Sequence, residues 1–264
     1  MHSGKCSYIG IILCSVGAMK KYLLELKNVN FSAQDDRKIV DDVSVVFTPG
    51  KTTAIVGPSG CGKSTVLKLA AGLLLPNSGE VLYKEKNITL LNRTENLDFR
   101  RESAFVFQDS ALWANMDLLQ ILELPLRIHF PKMTKSQRLI RVKDAVAKAG
   151  YKKDLNIRPH RLSMGEQKLI AFARAMICNP SILFLDECTE SLDETAAERL
   201  IDVIRKKQRE GTSILFISHD MRLIIDLADY IIVVLEGKIH ACAPKDEIIS
   251  DLLLNDFIKI GIAS

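Results

Sequence analysis

The chain has 264 residues, with 36 Lys plus Arg against 32 Asp plus Glu and a formal net charge of +4. At 47% hydrophobic and 26% charged it has a globular composition, which excludes global disorder. A charge this close to balance is a poor fit to a dedicated nucleic-acid binder, so no nucleic-acid partner is expected. The six cysteines, at 6, 14, 61, 178, 188 and 242, form no C-x-x-C pair. That argues against a zinc site or a thioredoxin-like motif and reads as free thiols in a reducing compartment.

In chain order, the apolar stretch of residues 8 to 18 follows Lys5 and is too short for a bilayer, which needs about 20 apolar residues. It resembles a signal-peptide core. The competing start is Met19-Lys20-Lys21, so residues 1–18 are expected to be an extension outside the fold, with 19–264 forming a single domain. YLLEL (22–26) and IVDDVSVVFT (39–48) alternate as strands, Pro49-Gly50 marks a turn, and TTAIVG (52–57) is a short buried-strand run. A helix is predicted from Lys63 to a stop at Gly72. Asn77-Ser78-Gly79 reads as a turn before the strand EVLY. Residues 110–178 read as mostly helical, with Leu139, Val142, Val146 and Ala149 on one face. Then follow strand ILFLD (182–186), a helix over 194–211, strand TSILFIS (212–218), helix MRLIIDLAD (221–229) and strand YIIVVLEGK (230–238). The expected fold is α/β: a mainly parallel sheet covered on both faces, an N-terminal antiparallel β subdomain, and an inserted helical subdomain over about 110–178.

Between the strand ending at Val56 and the helix opening at Lys63 stands Gly57-Pro58-Ser59-Gly60-Cys61-Gly62-Lys63-Ser64-Thr65, a match to G-x-x-x-x-G-K-[ST]. The glycines let successive backbone N–H groups turn toward phosphate oxygens, and the helix N-terminus favours negative charge. Lys63 is placed to reach the β- and γ-phosphates and the Ser64 hydroxyl to ligate Mg²⁺. These residues make ATP and Mg²⁺ the expected ligands of a P-loop nucleotide-binding protein.

The apolar strand ILFLD ends in two carboxylates, Asp186 and Glu187. Burial in a parallel sheet explains the apolar run but not the acids. At the carboxyl edge of such a sheet Asp186 would hold Mg²⁺ or its water, and Glu187 would polarise a water for in-line attack.

Five further matches, in order along the chain, resemble the ATP-binding cassette family over nearly all of residues 22–240. Gln108 follows the strand AFVF as the Q-loop glutamine does. Leu162-Ser163-Met164-Gly165-Glu166 resembles the LSGGQ signature and opens a helix continuing as AFARAM. Ser191-Leu192-Asp193 resembles the D-loop, His219 the switch histidine, and Phe31 the aromatic that stacks on adenine. Taken singly, each has an ordinary reading: Gln108 as surface polarity, Ser163 as a helix cap closed by Glu166, His219-Asp220 as another cap, Phe31 as core. It is the ordered set that makes those readings jointly improbable.

The resemblance implies a head-to-tail dimer of two copies around two ATP molecules, with Ser163 and the backbone of Gly165 on the γ-phosphate held by the partner. It implies Gln108, Ser64 and Asp186 on Mg²⁺, Asp193 at the nucleotide interface, and Lys63, Glu187 and His219 in hydrolysis. Met164 replaces the first glycine of the signature, Glu166 its glutamine, Lys168-Leu169 a glutamine and an arginine, and Cys188 a proline. A carboxylate beside ATP would repel it unless turned away or neutralised. Because Lys63, Ser64, Asp186, Glu187 and His219 are intact, retained hydrolysis is expected. Cys61 and Cys188 are expected as free thiols on the nucleotide side.

With no membrane span in the sequence, the resemblance implies a separate permease, a substrate-binding component, and a peripheral place on the cytoplasmic face of the membrane. Residues 110–126 correspond to the groove that receives a permease helix, or else simply to subdomain core. The segment HDMRLIIDLADYIIVVLEGKI and the tail ending FIKIG resemble the ATPases of Mla-type phospholipid transporters. Lipoprotein-releasing ATPases and importers of amino acids or metals stay open as alternatives. A ribosome or DNA-repair cassette protein fits less well, with one P-loop and no sustained heptads, and a GTPase would need N-K-x-D, which is absent.

Overall fold

The computed structural model describes residues 22–33 and 36–254. The apolar stretch of residues 8–18, the start at Met19, Cys6 and Cys14, and the FIKIG tail lie outside the described residues. The chain divides into two compact units, one reaching through Leu91 and resuming at Leu215, the other running from Asn92 to Ile214.

In the first unit, β1 (Leu24–Ser32), β2 (Lys38–Phe47), β4 (Ser78–Tyr83) and β5 (Lys86–Asn87) form an antiparallel sheet in the order β2-β1-β4-β5. Leu24, Leu26 and Val29 of β1 are buried. The break from every second residue falls where the β1–β2 register shifts between Leu26 and Val29. A one-residue bulge there keeps the apolar set on one face. The expected turn at Asn77-Ser78-Gly79 is instead the beginning of β4: Ser78 pairs with Asn30, and the register shift between Lys27 and Asn30 puts the extra residue on β1. Gly79 has φ +83°, and a Cβ there would lie 2.2 Å from the Asn28 carbonyl oxygen, so a side chain would break the strand pairing.

The same unit holds β3 (Thr52–Val56), parallel to β9 (Tyr230–Leu235), with β10 (Lys238–Pro244) antiparallel to β9. All five residues of β3 are buried, as expected for a strand covered on both faces. Helix α1 (Lys63–Ala70) follows β3 directly, and Gly72, at φ +63°, lies just past its end. Helices α7 (Met221–Leu227) and α8 (Lys245–Leu254) complete it. The sequence reading did not identify β10 or α8.

In the second unit, β6 (Ser103–Val106) runs parallel to β7 (Ile182–Asp186). Helix α2 (Arg93–Glu102), also missed by the sequence reading, opens on a capping box of Asn92 with Glu95 and runs directly into β6. The predicted helical insertion contains α3 (Leu118–His129), α4 (Lys135–Ala149) and α5 (Met164–Met176). Val142, Val146 and Ala149 of α4 are buried, as their spacing requires, together with Ala145. Helix α6 (Glu194–Arg209) follows β7, and β8 (Ser213–Ile217) crosses from the second unit back to the first. The fold is the expected α/β architecture, with parallel strands joined through helices, an N-terminal antiparallel sheet and a helical insertion.

Candidate functional site

In the first unit, the loop 57–65 passes from buried β3 into α1. Gly62 occupies the N-cap with φ +103°. Gly57 has φ +148°, and a Cβ there would lie 2.1 Å from the Val234 carbonyl oxygen, so the loop can only follow this path as glycine. Lys63 is buried, and its Nζ donates to the carbonyls of Gly57 (2.8 Å) and Pro58 (2.9 Å). An ammonium ion folded back over its own loop, at a helix N-terminus with backbone N–H groups left over, is a donor set that suits an oligophosphate. Ser64 and Thr65, half-buried, open the same helix. His219 is exposed just after β8, and the adjoining Asp220 caps α7 by accepting from the Arg222 N–H. Phe31 is half-buried on β1, opposite Val40 of β2.

In the second unit, Asp186 is buried at the end of β7. Glu187 follows in the left-handed region, φ +48°. A non-glycine residue there carries a steric cost and is the kind of outlier that collects at functional sites. Two bonds hold its carbonyl oxygen: Glu190 N–H at 3.3 Å and Lys168 Nζ at 2.7 Å. Gln108, exposed past β6, donates its Nε2 to the carboxylates of Glu190 (3.1 Å) and Glu187 (3.4 Å). Behind it, Ser110 and Ala111 take positive φ, and their carbonyls accept from the Arg174 guanidinium at 3.1 and 2.6 Å. Arg174, which the AFARAM segment of α5 contributes, also lies over the Trp113 ring, 5.2 Å from its centroid. The buried carboxylate of Asp186 and the side-chain oxygen of Gln108 are hard ligands of the kind Mg²⁺ takes.

The signature segment caps α5. Ser163 Oγ accepts from the Glu166 N–H (3.2 Å), and the Glu166 carboxylate accepts from the Ser163 N–H (3.0 Å). Gly165 lies against the D-loop: a Cβ on it would meet the Ser191 carbonyl oxygen at 3.4 Å. Met164 is 67% exposed. Glu166 does not stand as an unscreened charge, because Lys153 Nζ lies 2.5 Å from its other oxygen. The Lys153 bond first, then the Ser163 N–H, hold its carboxyl below the usual glutamate range. Asp193 caps α6, accepting from the Ala196 N–H at 2.9 Å.

Three expectations need correction or completion. Cys61 and Cys188 are free thiols, as expected. Both are buried, and burial pushes the Cys61 thiol up and the Cys188 thiol up to about 12. Of the segment 110–126, Leu118, Ile121, Leu122 and Leu126 are buried as helix core, while Trp113 stays exposed. Glu190 was not singled out by the sequence. In a loop after a strand it looks like ordinary surface polarity, and its partners are 22 and 82 residues away.

The family model described as ABC transporter matches residues 40–190. The nickel import ATP-binding protein NikE of Shigella flexneri serotype 5b is 35% identical over 205 residues, 76% of each chain. The intermembrane phospholipid transport system ATP-binding protein MlaF of Haemophilus influenzae is 29% identical over 246 residues, 91% of this chain and 92% of that one. Among solved structures, the dimeric post-hydrolysis state of the ATP-binding cassette MJ0796 bound to ADP and Pi aligns with a TM-score of 0.77 at 28% identity, covering 84% of this chain and 98% of the other. With its P-loop, acidic strand end and capped signature helix in place, the chain belongs to the ABC transporter family and is an ATP-hydrolysing cassette of that family.

Proposed function

We propose that this ATPase energises a separate membrane permease and that the cargo is a phospholipid. The observation that carries the cargo is length: the match to MlaF runs over 91% of the chain, whereas the match to NikE stops at 76%. A second reading, import of a small solute such as a metal ion, is favoured by the higher identity to NikE, 35%. Among the described residues no helix is long and apolar enough to cross a membrane. In this reading a separate permease spans the membrane, this chain is peripheral on its cytoplasmic face, and a substrate-binding component completes the system.

In this reading the N–H groups of residues 57–65 and the Lys63 ammonium bind the ATP phosphates, and Phe31 stacks on the adenine. Ser64, Gln108 and Asp186 would hold Mg²⁺, which would supply positive charge against the phosphates. Glu187 accepts a proton from the attacking water as its oxygen bonds to the γ-phosphorus and the bond from that phosphorus to the bridging oxygen breaks, releasing ADP and phosphate, while His219 donates a hydrogen bond to the γ-phosphoryl oxygens. The solved MJ0796 dimer supports a second copy of this chain as partner. Ser163, the N–H of Gly165 and Asp193 would then face the partner's nucleotide, the exposed cap of α5 offering free N–H donors to an anion. With Glu166 occupied by Lys153, this end of the helix remains suited to phosphate.

The test is purification of the chain with its permease from membranes, followed by mass spectrometry of extracted lipid and by ATPase assay. Bound phospholipid, with turnover lost in Glu187→Gln, is expected. A complex free of lipid whose ATPase is stimulated by Ni²⁺ and a binding protein would move the cargo to the second reading.

A further inference from the structure

We propose that Glu190 and Lys168 are positioning residues for ATP hydrolysis: Glu190 orients the side-chain amide of Gln108, and Lys168 holds the backbone of Glu187. The proposal rests on the assignment above of Gln108 to Mg²⁺ and of Glu187 to the attacking water.

The first half follows from the chemistry of the amide. Gln108 faces Glu190 Oε2 at 3.1 Å and Glu187 Oε2 at 3.4 Å. Ionised carboxylates only accept hydrogen bonds, so the NH₂ end of the amide must turn to them. The carbonyl oxygen Oε1, on the other branch of the planar amide, is then the atom offered to a cation. A glutamine turned the other way would present N–H groups, which no Mg²⁺ ligates. The shorter of the two bonds is to Glu190, whose side chain is half exposed and has no part in the water chemistry assigned to Glu187.

The second half follows from burial. The Lys168 side chain is 3% exposed. Among the described residues its ammonium has two polar partners, the Glu187 carbonyl oxygen at 2.7 Å and Glu190 Oε2 at 3.9 Å. A buried ammonium is tolerated when an opposite charge and a hydrogen-bond acceptor compensate it, and here these are different atoms with different consequences. The acceptor is the carbonyl of a residue at φ +48°, a conformation that persists only when its surroundings over-determine it. The nearest counter-charge is Glu190, the carboxylate that also holds Gln108, with Glu187 and Asp186 adding to the field. Glu190 is therefore the shared member: it fixes the amide directly and the Glu187 backbone through Lys168. Lys168 stands where the family often has a glutamine. The ammonium does what a neutral amide cannot, joining a carboxylate and a carbonyl with one charged donor.

Steady-state ATP hydrolysis by the full chain, with MgCl₂ varied at fixed ATP and ATP varied at saturating MgCl₂, tests this in Glu190→Ala, Glu190→Gln, Lys168→Met and the double variant Lys168→Met/Glu190→Gln. Glu190→Ala and Lys168→Met are each expected to lower kcat by about 10-fold or more, as for a reacting group left loosely held, with KM for ATP within about 2-fold. The Mg²⁺ requirement separates the two roles. It rises several-fold in Glu190→Ala and stays at the wild-type level in Glu190→Gln, whose side-chain oxygen still accepts from Gln108. The double variant is expected to lose no more than the worse single variant, as for residues acting through one contact. Wild-type kcat and Mg²⁺ requirement in Glu190→Ala, or an equal Mg²⁺ shift in Glu190→Ala and Glu190→Gln, would overturn the proposal; so would a lowered unfolding temperature as the sole effect. If Lys168→Met does not fold, the two Glu190 variants, made at a half-exposed side chain, decide it. Glu187→Gln run alongside keeps the readings apart: full turnover there refutes the Glu187 assignment itself, whereas turnover lost there but wild-type in Glu190→Ala refutes positioning alone.

Discussion

A single methyl group added at Gly57 tests whether the phosphate loop is held by its packing or only by backbone preference. In Gly57→Ala the new Cβ would lie 2.1 Å from the Val234 carbonyl oxygen and 2.9 Å from Cys61 Sγ, at φ +148°. Cys61 Sγ can rotate, but Val234 lies near the end of β9, where it pairs with Ile239 of β10, one residue past the β3 pairing that ends at Val233. Relief must therefore come from the loop or from the sheet. The backbone conformation costs about 1–3 kcal/mol for a residue with a side chain, and forcing a methyl into filled space adds about 1–3 kcal/mol. The sum, about 2–6 kcal/mol, corresponds to a fall in Tm of roughly 4–24 °C for a chain of this size. Gly60→Ala is the internal control. Its φ is +77°, yet nothing lies within 4 Å of the added Cβ, so it should cost only the backbone share, about 1–2 kcal/mol. Thermal unfolding followed by circular dichroism on both full-length variants measures the difference. Equal losses of Tm in the two would refute the claim that the Val234 carbonyl sets the path of the loop.

Three further outcomes are expected. Ser163→Ala removes one acceptor of the capping box on α5, which should cost about 1 kcal/mol and lower Tm by about 2–4 °C, whereas Ser163→Asn should retain most of the cap; equal losses would argue against the cap. The Glu166 carboxyl is held below its usual range by Lys153 and the Ser163 N–H. Its contribution to stability is therefore present above the unfolded glutamate value, about pH 4.3, and lost as pH falls through the depressed value. The Tm gap between wild type and Glu166→Gln should accordingly close as pH is lowered through that window, and a gap that widens would contradict it. Cys188, buried with its thiol pushed up to about 12, should resist iodoacetamide at pH 8 in the folded chain and label readily in denaturant. Labelling of the Cys188 peptide in the folded chain at the rate of an exposed thiol would refute its burial.

The residues that could be read without a structure share one property: their meaning is local. Gly57 to Thr65 is a single turn whose spacing dictates its path, and β3 before it and α1 after it begin within a residue or two of where periodicity puts them. Ser163 and Glu166 form a capping box because three residues bring one side chain back to the other's backbone at a helix start. The apolar run ending at Asp186 is a strand because five consecutive buried residues fit nothing else of that length. What could not be read depends on residues far apart in the chain. Ser78 and Gly79 look like a turn until pairing with β1 makes them the start of a strand. β10 has polar residues among its apolar ones and reads as a tail until β9 supplies its partner. Lys168 looks like a solvated helix residue, and only the packing of α5 buries its ammonium and aims it at the Glu187 carbonyl, 19 positions along. Sequence alone thus determined the nucleotide-binding chemistry and the cassette class, because short-range geometry encodes both. Tertiary structure alone decided how Glu187 and Gln108 are held, because burial and charge pairing between distant residues leave no periodic trace in the chain.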